Sequence, residues 1–362
     1  MAKIKRFIEC TVPVTACNLR CSYCYLIQQN RRNTLPIKFD YSPKHIGLAL
    51  SRERFGGICL FSLTGAGETL IPRNVINIAQ NILRQGHFVN ITTNGLLSKR
   101  FDELIMFSSE LLERLHFSFS LHYLELIRKN SLGIFFDNIQ KVKKAGCSYV
   151  VQFNLCDEYV PHLDSIMKIC LEKVGAPPQV AVTRREVGND ICLMTRSSRL
   201  DYVKLSKRFD SPLFNYGLEN FNIKRNEFCY AGDWSFKLLL ENGLLKSCYN
   251  SASSQNIFKD INKPIKFKAI GNNCRSPYCI NSTHFMSLGI IPEIQSPSYA
   301  TLRNRKDANW YSELMETALN GKLSEMNNEY SRLGKINSNA TEKVKIFKEF
   351  IKNKLPLGFN RN

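Results

Sequence analysis

Nowhere in its 362 residues does the chain carry a run of about 18 apolar residues, so no membrane-spanning helix is expected. Residues 1–16 (MAKIKRFIECTVPVTA) mix charge with apolar side chains and lack the apolar stretch of a secretory signal. No internal repeat and no low-complexity segment occurs, which removes repeat arrays and compositionally disordered classes. Acidic residues are scarce: 31 Asp plus Glu stand against 50 Lys plus Arg, a formal charge of +19. That balance favours anionic partners such as nucleotides, phosphorylated sugars, lipid headgroups or acidic peptides, or else is simply a solvated basic surface. No basic stripe interleaved with aromatics stands out, so nucleic acid is not the expected partner. Thirteen cysteines are too few for a disulfide scaffold of this length, and none follows residue 279. Hydrophobic residues make up 44%, enough for a large core.

Strand and helix signals alternate roughly every thirty residues from the start. Alternating or apolar runs rich in β-branched residues predict strands at 4–14, 57–64, 87–93, 115–121, 148–155 and 179–185. The run 115–121 carries small polar residues on one face. Helices are predicted over 43–54, with Ser42 as N-cap and Pro43 in the first turn, over 75–86 after Pro72, and over 100–115, 135–146 and 160–175. This alternation predicts a parallel sheet with right-handed crossovers. Six strands rather than eight predict a partial (β/α)6 TIM-like barrel, with chemistry at the carboxyl ends of the strands. Residues 191–228 read as a polar connection. Glu241-Asn242-Gly243 between two apolar runs then predicts a β-hairpin, opening a small cysteine-rich unit. The expected division is 1–190, 191–228, 229–290 and a helical extension over 291–362.

Cys17-Asn18-Leu19-Arg20-Cys21-Ser22-Tyr23-Cys24 puts three thiols in eight residues, within bonding reach of one metal centre. Structural zinc wants four ligands. Three suit an iron–sulfur cube with one iron left without a protein ligand; zinc with a distant fourth ligand, or three unrelated thiols, are the other readings. Thiolates of this kind need a reducing compartment, so a cytoplasmic location is expected. Gly65-Ala66-Gly67-Glu68 follows the second strand. Glycines there let a backbone carbonyl approach an ammonium closely, and Glu68 adds charge; an ordinary strand-to-helix turn is the alternative. A dinucleotide-binding loop is excluded, because the required third glycine is missing.

The cysteine spacing, with Tyr23 just before the third cysteine, resembles the signature of the radical S-adenosylmethionine (radical SAM) enzymes, and the resemblance extends to about residue 290. It implies a 4Fe–4S cluster on Cys17, Cys21 and Cys24, whose open iron is chelated by the cofactor's amino and carboxylate groups. It implies cofactor contacts from Tyr23, Gly65, Ala66, Gly67, Glu68, Asn94, Ser120 and Arg128. Ala66 stands where the family has glycine, and Thr69 where proline is common. Cys229, thirteen residues, Gly243, four residues and Cys248 resemble the opening of a SPASM or shorter twitch auxiliary domain. Cys274 and Cys279 would complete four ligands for one auxiliary 4Fe–4S cluster; four cysteines also suit tetrahedral zinc.

Of the six other cysteines, Cys59, Cys147 and Cys170 lie in apolar patterns and read as core, and Cys10 has no assigned role. Cys156 and Cys192 follow the fifth and sixth strands and are candidates to return a hydrogen atom, should the reaction be an epimerisation. His122 is a candidate substrate contact. The resemblance implies hydrogen abstraction from an unactivated carbon, in the crosslinking, epimerisation or oxidation of a peptide or protein or on a sugar; the basic charge favours a small molecule, anionic or sugar-bearing. The early first strand leaves no separate leader-recognition domain, which weighs against the peptide reading. A reductase, flavodoxin or ferredoxin would supply electrons. A zinc-dependent interaction protein, and a fold that binds the cofactor without reacting, are the rivals.

Overall fold

The computed structural model describes residues 3–33, 35, 37–187 and 190–354. Six parallel strands run in sequence order: β1 (Arg6–Val12), β2 (Cys59–Gly65), β3 (Phe88–Thr93), β4 (Leu115–Ser120), β5 (Ser148–Leu155) and β6 (Gln179–Val182). Their register explains their composition. Glu9 and Thr11 stand beside Ser62 and Thr64, Ser62 beside Asn90, Thr92 beside Ser118, and Ser120 beside Gln152. Successive side chains alternate between faces, so these polar residues share one face, the concave one. Ile8, Phe61, Val89, Ile91, Phe117 and Phe119 take the other face and are fully buried. The crossover helices Asn74–Arg84 and Leu132–Lys144 cover that face; Phe135, for example, meets Phe119 edge-on at 5.9 Å. A parallel sheet buried on both faces reads as an unbroken apolar run. This sheet alternates because its inner face borders a cavity.

Three expectations need correction. The helix expected over 100–115 is two short ones, Ser98–Leu104 and Ser109–Leu112. The sixth strand stops at Val182; the chain then forms β7 (Arg184–Val187), which leaves the sheet and pairs antiparallel with β8 (Asp190–Leu193). The hairpin β9 (Ser235–Leu239) and β10 (Leu244–Lys246) forms about Asn242-Gly243 as expected, but it does not stand apart from the barrel. β9 lies parallel to β1, and β11 (Ser254–Asn256) follows β10, giving one nine-stranded sheet, β11-β10-β9-β1-β2-β3-β4-β5-β6. The sheet therefore runs across the boundary expected at residue 229.

After residue 296 the chain is helical, over Tyr299–Arg303, Glu313–Asn320 and Arg332–Lys354. Between the first two, Trp310 docks under the barrel: its Nε1 donates to Val174 O at 2.9 Å and its carbonyl accepts from Tyr149 N at 2.9 Å. Residues 1–2 and 355–362 of the expected first and last segments lie outside the described residues. No described helix is long and apolar enough to cross a membrane.

Candidate active site

The cysteine loop leaves β1 and is clamped to the turn after β2. Gly67 N donates to Val14 O at 2.8 Å, and Glu68 N donates to Ala16 O at 2.9 Å. The approach leaves no room for side chains: a Cβ on Gly67 would sit 2.0 Å from Ala16 O, and one on Gly65 would sit 2.4 Å from Val14 Cγ1. These glycines therefore dock the turn on the cysteine loop, a role the sequence reading did not foresee. Thr69, in place of the common proline, accepts from Gly65 N through Oγ1 at 2.9 Å and closes the turn. Ala66 offers its carbonyl to the Tyr25 hydroxyl at 3.5 Å.

Glu68 is only 3% exposed. Its carboxylate accepts from Thr93 Oγ1 at 2.7 Å, Leu70 N at 3.0 Å and Asn94 N at 2.8 Å. Burial raises its pKa while these three donors oppose the rise. The charge expected to face a ligand is thus largely spent inside the protein, tying the turn to the end of β3. Asn94, held at its own N–H, reaches the cysteine loop through Nδ2: Asn18 Oδ1 lies 2.6 Å away and Cys17 Sγ 3.7 Å away. Arg32 completes the loop's anchorage with a hydrogen bond to Cys17 O.

Cys17, Cys21 and Cys24 line one cavity of about 320 Å³ together with Tyr23, Gly65 to Thr69, Asn94, Ser120 and His122. The Tyr23 hydroxyl lies 2.5 Å from His122 Nδ1 and 3.3 Å from the Tyr159 hydroxyl. Burial lowers the His122 pKa to about 4, so the ring is neutral near pH 7 and its Nδ1 is free to accept from Tyr23. Ser120 borders the cavity with no side-chain hydrogen bond among the described residues.

Arg128 does not join this group. It is 57% exposed and paired with Glu125 at 2.7 Å on the helix Tyr123–Arg128, while Glu125 also accepts from Arg20 N at 2.6 Å. The guanidinium that does border the cavity beyond β6 is Arg184, paired with Glu186 at 2.9 Å. Gln28 fastens this corner, donating from Nε2 to Tyr23 O at 2.8 Å and Arg184 O at 3.2 Å and accepting from Glu186 N at 2.8 Å. Asn154, at the end of β5, also lines the cavity. None of Arg32, Gln28, Asn154 and Arg184 was singled out from sequence; only Asn154, at the carboxyl end of β5, carried a positional signal.

Neither candidate thiol borders the cavity. Cys156 is buried among Tyr23, Tyr159 and Tyr202, and burial pushes its pKa up to about 12. Cys192 stands opposite Arg185 in the β7–β8 pair. Arg184 and Glu186 face the cavity, so strand alternation turns Cys192 the other way.

Burial pushes the Cys17 and Cys21 thiols up; Cys24 raises Cys17 further, and Cys17 and Cys24 together raise Cys21. The second group behaves alike. Cys229 exchanges hydrogen bonds with Gly271, N to O at 3.2 and 3.1 Å, and Cys248 directly follows the hairpin. Burial raises Cys229 and Cys279 and pushes Cys248 up to about 12. Each also feels Cys274, so the four thiols are neighbours. Among the described residues no three Cys, His, Asp or Glu side chains close around a single ion. A zinc shell has a radius of about 2.3 Å for sulfur, whereas a cube several atoms across holds its thiolates further apart. Both groups offer sulfur alone, the donor set of a 4Fe–4S cube and, for the four thiols, of zinc as well.

No family model and no curated protein matches the chain. Among solved structures, Streptococcus suis SuiB bound to precursor peptide SuiA aligns with a TM-score of 0.50 at 16% identity, over 74% of this chain and 65% of that one. SuiB bound to S-adenosylmethionine aligns at 0.48 and 15%, over 73% and 64%. The enzyme anSMEcpe with bound AdoMet and Cp18Cys peptide aligns at 0.45 and 13%, over 95% and 99%. The chain thus spans just under two thirds of the length of the SuiB chains. The likeness to peptide-bound SuiB is one of fold; in this chain the fold is six parallel barrel strands with the three thiols of the loop just beyond the carboxyl end of the first.

Proposed function

We propose that the chain is a radical SAM enzyme. One observation carries the reading: Cys17, Cys21 and Cys24 line the same cavity as the Gly65–Thr69 turn and Asn94. In this reading the three thiolates hold a 4Fe–4S cluster whose remaining iron is left for S-adenosylmethionine. When bound, that pair supplies a 5′-deoxyadenosyl radical on reduction, the species that removes a hydrogen atom from substrate. The chain's own residues orient and enclose. The Gly67–Val14 and Glu68–Ala16 hydrogen bonds fix the thiol loop against the turn, leaving the carbonyls beyond Gly65 for the cofactor's ammonium. Arg184, steadied by Glu186, replaces Arg128 as the cation for its carboxylate. Ser120 and Asn154 offer hydroxyl and amide to its ribose or to substrate, and neutral His122 holds Tyr23 in the cavity wall.

Cys229, Cys248, Cys274 and Cys279 hold a second 4Fe–4S cluster, fully ligated and therefore a conduit or structural centre rather than a second cofactor site. A reductase, flavodoxin or ferredoxin supplies the electron, in a reducing cytoplasm. The substrate is a small molecule, anionic by preference given the +19 charge. The second reading is a peptide substrate, favoured by the precursor peptide bound to SuiB. Anaerobic reconstitution with iron and sulfide followed by reduction with cofactor tests the reading: the wild-type chain forms 5′-deoxyadenosine and the Cys17→Ala/Cys21→Ala/Cys24→Ala variant forms none. A colourless chain that takes up zinc without iron belongs instead to the interaction-protein class. Adding separated peptide and small-molecule fractions of cell extract, and following which changes in mass, distinguishes the substrate readings.

A further inference from the structure

The helix Arg332–Lys354 is mounted with its polar side inward. Ser338 Oγ donates to Ala269 O at 2.5 Å, Asn339 Nδ2 to Asn272 Oδ1 at 2.8 Å, and Lys268 Nζ to Thr341 Oγ1 at 2.6 Å. Ser253 Oγ donates to Glu342 Oε2 at 2.7 Å, and Arg275 pairs with Glu349. The apolar side faces solvent: Leu333 is 77% exposed and Phe347 63%, with Ile336, Ala340, Val344 and Ile351 exposed beside them. At about 100° per residue these six fall within an arc of about 80°, centred opposite Ser338 and Glu342. A surface helix ordinarily buries such a stripe, so this one is built to be covered.

Charge selects the cover. Both acids of the helix, Glu342 and Glu349, are engaged on the inner side. The outer side carries Arg332, Lys343 and Lys348 and, among the described residues, no acid. We propose that this helix seats the protein on the surface of an anionic lipid bilayer, stripe in the acyl boundary and basic rim among the headgroups. A second copy is disfavoured, because face-to-face stripes bring Lys343 and Lys348 of two chains of charge +19 together. A protein partner would need a groove shaped to the stripe; a plane needs only that the stripe point away from the body, as it does. The inference does not depend on the chemistry proposed above.

Flotation of the full chain with vesicles tests it, comparing phosphatidylcholine alone with phosphatidylcholine containing phosphatidylglycerol. The chain floats with the anionic vesicles, and added salt weakens the binding. The exposed double substitution Val344→Asp/Phe347→Asp lowers vesicle affinity by about tenfold or more while leaving the circular dichroism spectrum unchanged. Lys343→Glu/Lys348→Glu lowers it on anionic vesicles alone. Equal flotation of wild type and the Asp variant overturns the proposal. So does a chain that ignores both vesicles, dimerises through Phe347 in sedimentation velocity, or binds polyglutamate but not lipid.

Discussion

At the scale of single residues the site is held by close approach and by internal hydrogen bonds. Gly67 has no room for a methyl group against Ala16 O, 2.0 Å from its would-be Cβ. Gly67→Ala is expected to destabilise the chain by about 1–3 kcal/mol and to lower iron uptake, read by thermal melting and by iron assay after reconstitution. Glu68 accepts three donors while buried. Glu68→Gln turns one acceptor into a donor facing an N–H, so a loss of about 1–3 kcal/mol is expected, with the melting temperature as the readout. The two arginines separate the sequence reading from the structural one. Arg184→Ala should weaken S-adenosylmethionine binding by about tenfold, measured by equilibrium dialysis. Arg128→Ala should leave it unchanged, because the exposed Arg128 is paired with Glu125 outside the cavity. Equal losses in both variants would restore Arg128 to the site.

At the scale of elements, the hairpin carries the second group of thiols into place. Gly243 adopts φ +78°, and a Cβ there would lie 2.3 Å from the Phe258 ring. Gly243→Val therefore distorts the β9–β10 turn and moves Cys248. Reconstituted iron should fall from about eight atoms per chain to about four, with 5′-deoxyadenosine still formed. The six barrel strands and their crossover helices were legible because each carries a local signal: alternation, a proline at a helix start, a glycine at its end. The thiol loop was legible for the same reason, since its ligands lie within eight residues. What escaped was non-local. Parallel pairing of β9 with β1 leaves no mark in either strand, and so the hairpin read as a separate unit. Arg128 was matched by its order along the chain, but the helix it ends, Tyr123–Arg128, directs it to solvent. Arg184 follows the true end of β6, a boundary that the unbroken run 179–185 concealed.

At the scale of the whole molecule, the fold holds several imidazoles neutral. Cys59 N donates to His87 Nδ1 at 3.0 Å, so His87 carries its proton on Nε2 and donates to Leu50 O at 2.9 Å. Burial lowers the pKa of His87 to about 4 and of His116 to about 3, and His284 is lowered too. The unfolded chain binds these protons from about pH 6.5 downward, while the fold resists them. Their contribution to stability is therefore complete above about pH 6.5 and lost as pH falls through about 4, roughly 3 kcal/mol for His87. Melting temperatures should drop steeply over that range, and His87→Gln should flatten the drop while lowering stability at pH 7.5. The nine-stranded sheet has a further consequence, for the order in which the protein is made. Phe7 pairs with Ser235, so β1 leaves the ribosome with one edge open and waits through most of synthesis for its neighbour. Cys17, just beyond that strand, emerges early, but the cavity it lines is complete only once Arg184 and Glu186 have been made. Iron delivered before then meets a half-made mount, long after its thiols have been translated.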